Sequence, residues 1–152
     1  MDLILWRHAE AEDSEPDLER ALTGKGQKQA RRMAEWLDGQ LPDACKILVS
    51  PARRTLQTVE PLGRKFKVAP ELGPGAAPQD ILRAVNWPNG KEAMLVVGHQ
   101  PTLGQVAALL ICGRPQAWDI KKGSAWWIVQ RDPGDPDSLY VKAVIGPEQI
   151  LK

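Results

Sequence analysis

Three short runs of consecutive apolar residues punctuate the first two thirds of the chain: LILW at 3–6, KILVS at 46–50 and AMLVVG at 93–98. Runs of this length without polar alternation fit strands covered on both faces, as in a parallel sheet. Between the first two, QKQARRMAEWLDGQL carries Ala30, Met33, Ala34, Leu37 and Leu41 at helical spacing. Thr23 is placed to cap this helix, and Pro42 closes the segment after it. Following the second run, Ala52, Thr55, Leu56, Val59, Leu62, Gly63 and Phe66 mark a second helical stripe, with Pro61 set to kink or divide it. PELGPGAAP at 70–78 reads as loop, and a short helix is expected around 79–86. PTLGQVAALLI at 101–111 reads as a buried helix with Pro101 near its first turn.

The pattern changes in the last quarter. SAWWIVQ (124–130) and LYVKAVI (139–145) flank DPGDPD, which predicts a hairpin with a turn rich in Asp, Pro and Gly. The aspartates of that turn read as turn formers rather than metal ligands. The order β-α-β-α-(α)-β-α-β-β predicts an α/β fold, a three-layer α/β/α sandwich with a mainly parallel central sheet and a C-terminal antiparallel hairpin. The chain has 152 residues and shows no repeat, low-complexity tract or linker, so residues 1–152 are expected to form a single domain.

Composition alters this picture little. With 43% hydrophobic and 26% charged residues, the chain is ordinary for a soluble globular protein. No apolar run approaches a membrane span, and no secretory segment precedes the first strand, so a cytoplasmic location and no membrane partner are expected. A formal charge of +1 gives no support to nucleic-acid binding. Cys45 and Cys112 share no ligand spacing with each other or with the two histidines, which argues for free thiols over a zinc site.

Ligands of open α/β sheets bind beyond the carboxyl ends of the strands. His8 follows the first strand, Ser50 ends the second and His99 follows the third. One histidine at a strand end is more often structural than catalytic. Two on the same sheet edge, with Arg7 beside one and Arg53-Arg54 just after the second strand, reverse that expectation. Guanidinium matches the paired oxygens of a phosphoryl group, and its field disfavours protonation of a nearby imidazole. A neutral histidine among arginines can attack phosphorus while the arginines hold its oxygens. TGKGQK, by contrast, lacks the spacing and terminal hydroxyl residue of a phosphate-binding Walker loop and reads as helix-start signalling.

Arg7-His8, SPxxRTxQT at 50–58 and VVGH at 96–99 resemble the histidine phosphatase (phosphoglycerate mutase-like) superfamily. The phrase RALTxxGxxQA at 20–30 and the short length are similar to its small SixA-type phosphohistidine phosphatase branch. The resemblance implies a phosphoglycerate mutase-like fold and a metal-independent hydrolase with no cofactor. It makes His8 a nucleophile that is transiently phosphorylated, with Arg7, Arg54 and His99 lining the phosphate pocket. Arg54 rather than Arg53 falls at the family's spacing from Ser50, and neighbours on a helix point about 100° apart. Arg20 becomes a further phosphate or substrate contact. For the general acid of larger relatives, Glu71 in PEL is the nearest match, with Glu10 and Glu12 nearer the nucleophile in sequence. Ala9 stands where the superfamily usually has glycine.

The implied substrate is phosphohistidine on a signalling or phosphotransfer protein. Larger members insert helices between Pro70 and the third strand; the short segment here leaves a pocket open to a histidine on another protein. The rivals are a phosphomonoesterase acting on a small metabolite and a non-catalytic phosphoprotein-binding module. Among the remaining polar residues, Ser50 and Thr58 are expected to support the loop and helix. EAEDSEPDLE (10–19) is expected to be a solvated loop bordering the site. Trp6 is expected to lie buried beneath it, with Trp36, Trp126 and Trp127 in the core or on a sheet face.

Overall fold

The structure, a computed structural model, describes residues 1–150. The continuous apolar runs become the centre of one six-stranded sheet, built from β1 (Asp2–Arg7), β2 (Lys46–Val49), β3 (Lys67–Val68), β4 (Met94–Gly98), β5 (Ala125–Gln130) and β6 (Leu139–Ile145). Four helices accompany it: α1 (Gly24–Gln40), α2 (Arg53–Val59), α3 (Pro78–Ala84) and α4 (Thr102–Cys112). The strand order is β3-β2-β4-β1-β5-β6. β1, β2, β3 and β4 run parallel, while β5 is antiparallel to both β1 and β6.

Side-chain alternation along the strands divides the core into two halves. Ile4, Trp6, Ile47, Val49, Leu95 and Val97 face one side and pack against Met33, Ala34 and Leu37 of α1 and Val59 of α2. Leu3, Leu5, Val96 and Ile128 face the other, against Ile81 of α3 and Leu103, Val106 and Ala107 of α4. The three-layer α/β/α sandwich follows from this division. Each fully buried large side chain contributes about 1.5–3 kcal/mol relative to exposure. Trp6 is fully buried, and its indole N–H donates to the Gly123 carbonyl at 3.0 Å. No helix among the described residues is long and apolar enough to cross a membrane.

The structure fills in the sequence pattern at three places. The second helical stripe breaks after Val59 into a 3-10 turn at Glu60–Leu62, and Gly63 then reverses the chain at φ 69°. Pro61 supplies no N–H to continue the helix, and Gly63 takes the left-handed conformation without a Cβ clash. Phe66 therefore lies outside the helix and is exposed, and the next two residues form the edge strand β3 beside β2. The 70–78 loop contains a 3-10 turn at Pro70–Leu72, and α3 begins at Pro78. In the hairpin turn, Asp132 and Asp135 accept from the backbone N–H groups of Gly134 (2.9 Å) and Asp137 (3.0 Å), which satisfies the turn reading.

The start of α1 locks the segment that leads out of β1. Thr23 Oγ1 accepts from the Gly26 N–H at 2.9 Å, capping the helix, and the Thr23 N–H donates to the Glu10 carbonyl at 3.0 Å. A Cβ on Gly26 would fall on that same carbonyl. Gly26→Ala is therefore expected to destabilise the protein by roughly 1–3 kcal/mol through forced backbone displacement. Urea unfolding of the variant against the parent checks this.

Candidate active site

Backbone pairing brings the two histidines together. Arg7 pairs with Gly98 at the last step of the β1–β4 register, and the His8 N–H donates to the Gly98 carbonyl at 3.1 Å. His8 and His99 consequently emerge side by side, with ring centroids 5.4 Å apart and planes tilted by 55°. The Ser50 N–H donates to the Val97 carbonyl at 3.1 Å, adding the end of β2 to the same edge. α2 begins immediately afterwards and presents Arg54 inward and Arg53 outward.

Hydrogen bonds fix the protons of both rings. His8 Nδ1 lies 2.7 Å from the Ala9 carbonyl, which only accepts, so Nδ1 carries the hydrogen and Nε2 keeps a free lone pair. Ser50 Oγ accepts from the Ala52 N–H at 3.3 Å and lies 2.7 Å from His99 Nε2. The buried hydroxyl hydrogen is satisfied by that ring nitrogen, which places the proton of His99 on Nδ1. Burial lowers the His8 pKa to about 4; the Ala9 carbonyl opposes the shift, and the fields of Arg54, Arg7 and Arg20 add to it. His99 falls to about 3, through burial first and then Arg54 and His8, with Asp17 acting in the opposite direction. Both rings are neutral at pH 7.

The two expected phosphate ligands share an unusual state. Arg54 is 4% exposed; its Nη1 donates to the Asp17 carbonyl at 2.8 Å and its Nη2 to Asp17 Oδ2 at 3.2 Å. Arg7 Nη1 donates to the Ile120 carbonyl at 2.9 Å. The Nε atoms of Arg7 and Arg54 are buried and lack any partner. A buried unpaired donor costs about 1–3 kcal/mol, more when charged, and an oxyanion removes that cost. The only other buried side-chain nitrogen or oxygen in this state among the described residues is Nε of Arg32, beside a separate cleft with Lys28 and Pro147.

Each polar residue of SPxxRTxQT has a place. Ser50 sets the His99 tautomer, and Thr55 Oγ1 donates back to the Ser50 carbonyl at 2.8 Å. Gln57 Oε1 accepts from the Leu22 N–H at 2.7 Å. Thr58 Oγ1 accepts from the Ala9 N–H at 3.0 Å and donates to the Arg54 carbonyl at 2.7 Å, tying the nucleophile loop to α2. Ala9 is buried against Leu22 and Ala30 and does not adopt a positive φ, so this turn makes no demand for glycine.

The remaining candidates separate. Arg20 lies near enough for its charge to reach His8, but its Nε donates to the Glu12 carbonyl at 2.7 Å and its Nη1 to Asp17 Oδ1 at 3.3 Å. Glu10 faces Lys25 at 3.8 Å. Glu71 is exposed on the turn 70–72, and no hydrogen bond or ion pair among the described residues joins it to His8, His99, Arg7 or Arg54. Two carboxylates reach the cluster: Asp119, 3.9 Å from Arg7 Nη1, and Asp17, which the sequence places in an acidic stretch expected to be a solvated loop. Its position three residues before Arg20, beside a predicted arginine cluster, was the available signal.

The chain that carries this site has relatives among known proteins. The chain matches the histidine phosphatase superfamily (branch 1) over residues 3–77. It is 34% identical over 124 residues to phosphohistidine phosphatase SixA of Escherichia coli strain K12, covering 74% of this chain and 76% of that protein. The chain belongs to the histidine phosphatase superfamily and is a hydrolase of the phosphatase class. Among solved structures, the protein histidine phosphatase SixA complexed with tungstate superposes with a TM-score of 0.75 at 27% identity, over 97% of each chain. A putative SixA from Nakamurella multipartitia gives 0.76 at 27% identity, over 96% of this chain and 95% of that one. These likenesses also place the sandwich among phosphoglycerate mutase-like folds.

Two buried neutral histidines make stability depend on pH. Between about pH 6.5 and their depressed values, the unfolded chain binds protons that the folded chain does not. Stability present above pH 6.5 is therefore expected to fall on acidification towards pH 3–4, each ring contributing on the order of 1–3 kcal/mol. Urea unfolding at stepped pH should show this slope, and His8→Ala should make it shallower.

Proposed function

We propose that the chain hydrolyses the N–P bond of phosphohistidine on a signalling or phosphotransfer protein through a covalent phospho-His8 intermediate. The observation that carries this reading is the state of His8. Its Nδ1–H is pinned on the Ala9 carbonyl, which leaves Nε2 as an unprotonated nucleophile beside two arginine Nε–H groups that lack acceptors. In the first step, His8 Nε2 forms a bond to phosphorus as the substrate N–P bond breaks. In the second, water attacks phospho-His8, the Nε2–P bond breaks, and inorganic phosphate leaves with the oxygen and protons of that water.

Arg7, Arg54 and the Nδ1–H of His99 would hold the phosphoryl oxygens as charge develops, a role in which one donor is typically worth about 10²–10³ in rate. The scheme uses side chains alone and calls on no metal. Substrate chemistry follows from what the pocket lacks. An ester's alkoxide needs a proton, and a general acid supplies about 10²–10⁴-fold. No carboxyl hydrogen-bonds to His8 or His99 among the described residues, and Asp17 is held ionised by Arg54 and Arg20. Among the described residues, Glu71 makes no hydrogen bond or ion pair to the site that would support it as donor. A protonated phosphoimidazole requires no such donor, since the imidazole departs neutral. The 34% identity to a phosphohistidine phosphatase and the tungstate complex of a 27% identical relative support the same reading.

The deciding experiment is phosphate release from a chemically phosphorylated histidine-phosphotransfer protein with EDTA present, alongside p-nitrophenyl phosphate. The expected result is turnover of the phosphoprotein, abolished in His8→Ala, about 10²–10³-fold slower in Arg54→Ala and poor on the ester. The acid limb of kcat/KM is expected near pH 4, where His8 gains its proton, rather than near 6.5. Activity surviving in His8→Ala would overturn the nucleophile, and preference for the ester would overturn the substrate.

A further inference from the structure

At the pocket mouth, Asp17 opens the short 3-10 turn Asp17–Glu19, with its side chain 51% exposed. Oδ2 accepts from Arg54 Nη2 at 3.2 Å and Oδ1 accepts from Arg20 Nη1 at 3.3 Å. The Asp17 carbonyl also accepts from Arg54 Nη1 at 2.8 Å. Partial desolvation works against ionisation of Asp17, but the Arg54 and Arg20 guanidiniums outweigh it and hold the carboxyl below its usual range. Its charge in turn reaches His99.

Three consequences follow from this placement. Both Nη groups of Arg54 are spent on Asp17 while its buried Nε lacks a partner, so a phosphoryl group held by Arg54 would share one guanidinium with the carboxylate. Arg20, a cation that could greet a carboxylate on a substrate, is already occupied at Nη1 by Asp17 and at Nε by the Glu12 carbonyl. An anionic group attached to the phosphoryl on this side would therefore meet the Asp17 carboxylate, with Nε and Nη1 of Arg20 already engaged. Like charges brought together at a binding surface oppose association.

We propose that Asp17 is a specificity-determining residue, a carboxylate seated on Arg54 and Arg20 that favours phosphoryl groups borne on protonated imidazole and turns away those borne on anionic esters. This rests on the reading of the pocket as a phosphatase site. The bonds of the reaction fit the assignment. When the far ring nitrogen of the substrate carries a proton, the ring is cationic until the N–P bond breaks, the electron pair returns to nitrogen and the imidazole leaves neutral. Asp17 attracts that cationic ring. It holds no proton to give an alkoxide.

The test uses a matched pair of phosphate esters, methyl phosphate and phosphoglycolate, which differ by one carboxylate. Calorimetric binding is measured to His8→Ala, which prevents turnover, and to the His8→Ala/Asp17→Asn double variant. Phosphoglycolate is expected to bind roughly tenfold more weakly than methyl phosphate to the first, and the gap is expected to close in the second. Asp17→Glu in the same background, keeping the charge, should keep the gap. A gap that Asp17→Asn leaves unchanged overturns the proposal, as does a gap that Asp17→Glu abolishes while thermal unfolding shows the fold intact. With His8 present, Asp17→Asn should raise kcat/KM for phosphoglycolate relative to phosphoimidazole about tenfold, and an unchanged ratio counts against it. Should the parent release phosphate from neither compound nor from the phosphorylated phosphotransfer protein, the phosphatase reading fails, while the binding gap still decides the role of Asp17.

Discussion

The site depends on the parallel pairing of two buried strands. β1 and β4 lie side by side at the centre of the sheet, and their register ends with Arg7 opposite Gly98. Each strand continues by one residue into a histidine, so the spacing of His8 and His99 is set by backbone hydrogen bonds rather than by flexible side chains. Slipping that register by one residue would turn Leu3 and Leu5 to the face now held by Ile4 and Trp6. The hydrophobic core thus enforces the geometry of the chemistry.

Around this fixed pair, α2 and the turns leaving β1 and β2 supply a polar layer that assigns protons and orientations. Ser50 settles the His99 tautomer, Ala9 settles that of His8, and Thr58 ties the Ala9 turn to the helix that bears Arg54. Burial keeps both imidazoles uncharged among three arginines, two of which, Arg20 and Arg54, are engaged by Asp17. The net result is a cavity whose positive charge belongs to guanidinium and whose lone pair belongs to imidazole. Attack on phosphorus with simultaneous neutralisation of its oxygens requires that division of labour.

Much of this was legible in the chain because the signals were local. Uninterrupted apolar runs located β1, β2 and β4, and the spacing implied by the family resemblance, together with helical phasing, distinguished Arg54 from Arg53. β3 was not legible, since two charged-and-apolar residues on a sheet edge carry no periodicity, and Phe66 joined a helical stripe only by coincidence of spacing. Asp17 escaped for a different reason. Its neighbours Glu10, Glu12, Asp13, Glu15 and Glu19 make it one acid among many, and only the folded chain singles out the one that meets Arg54. Glu71 matches by position in the sequence, but no hydrogen bond or ion pair among the described residues joins it to His8, His99, Arg7 or Arg54.

The segment between β1 and α1 has a property that the strands lack. It is fastened at its base by main-chain bonds, Glu12 to Ala21 and Thr23 to Glu10, and its side chains contribute little to the two large cores. Its tip can therefore diverge in sequence with little effect on the folding of the sheet. The same separation makes residues 12–21 a natural unit for grafting between relatives.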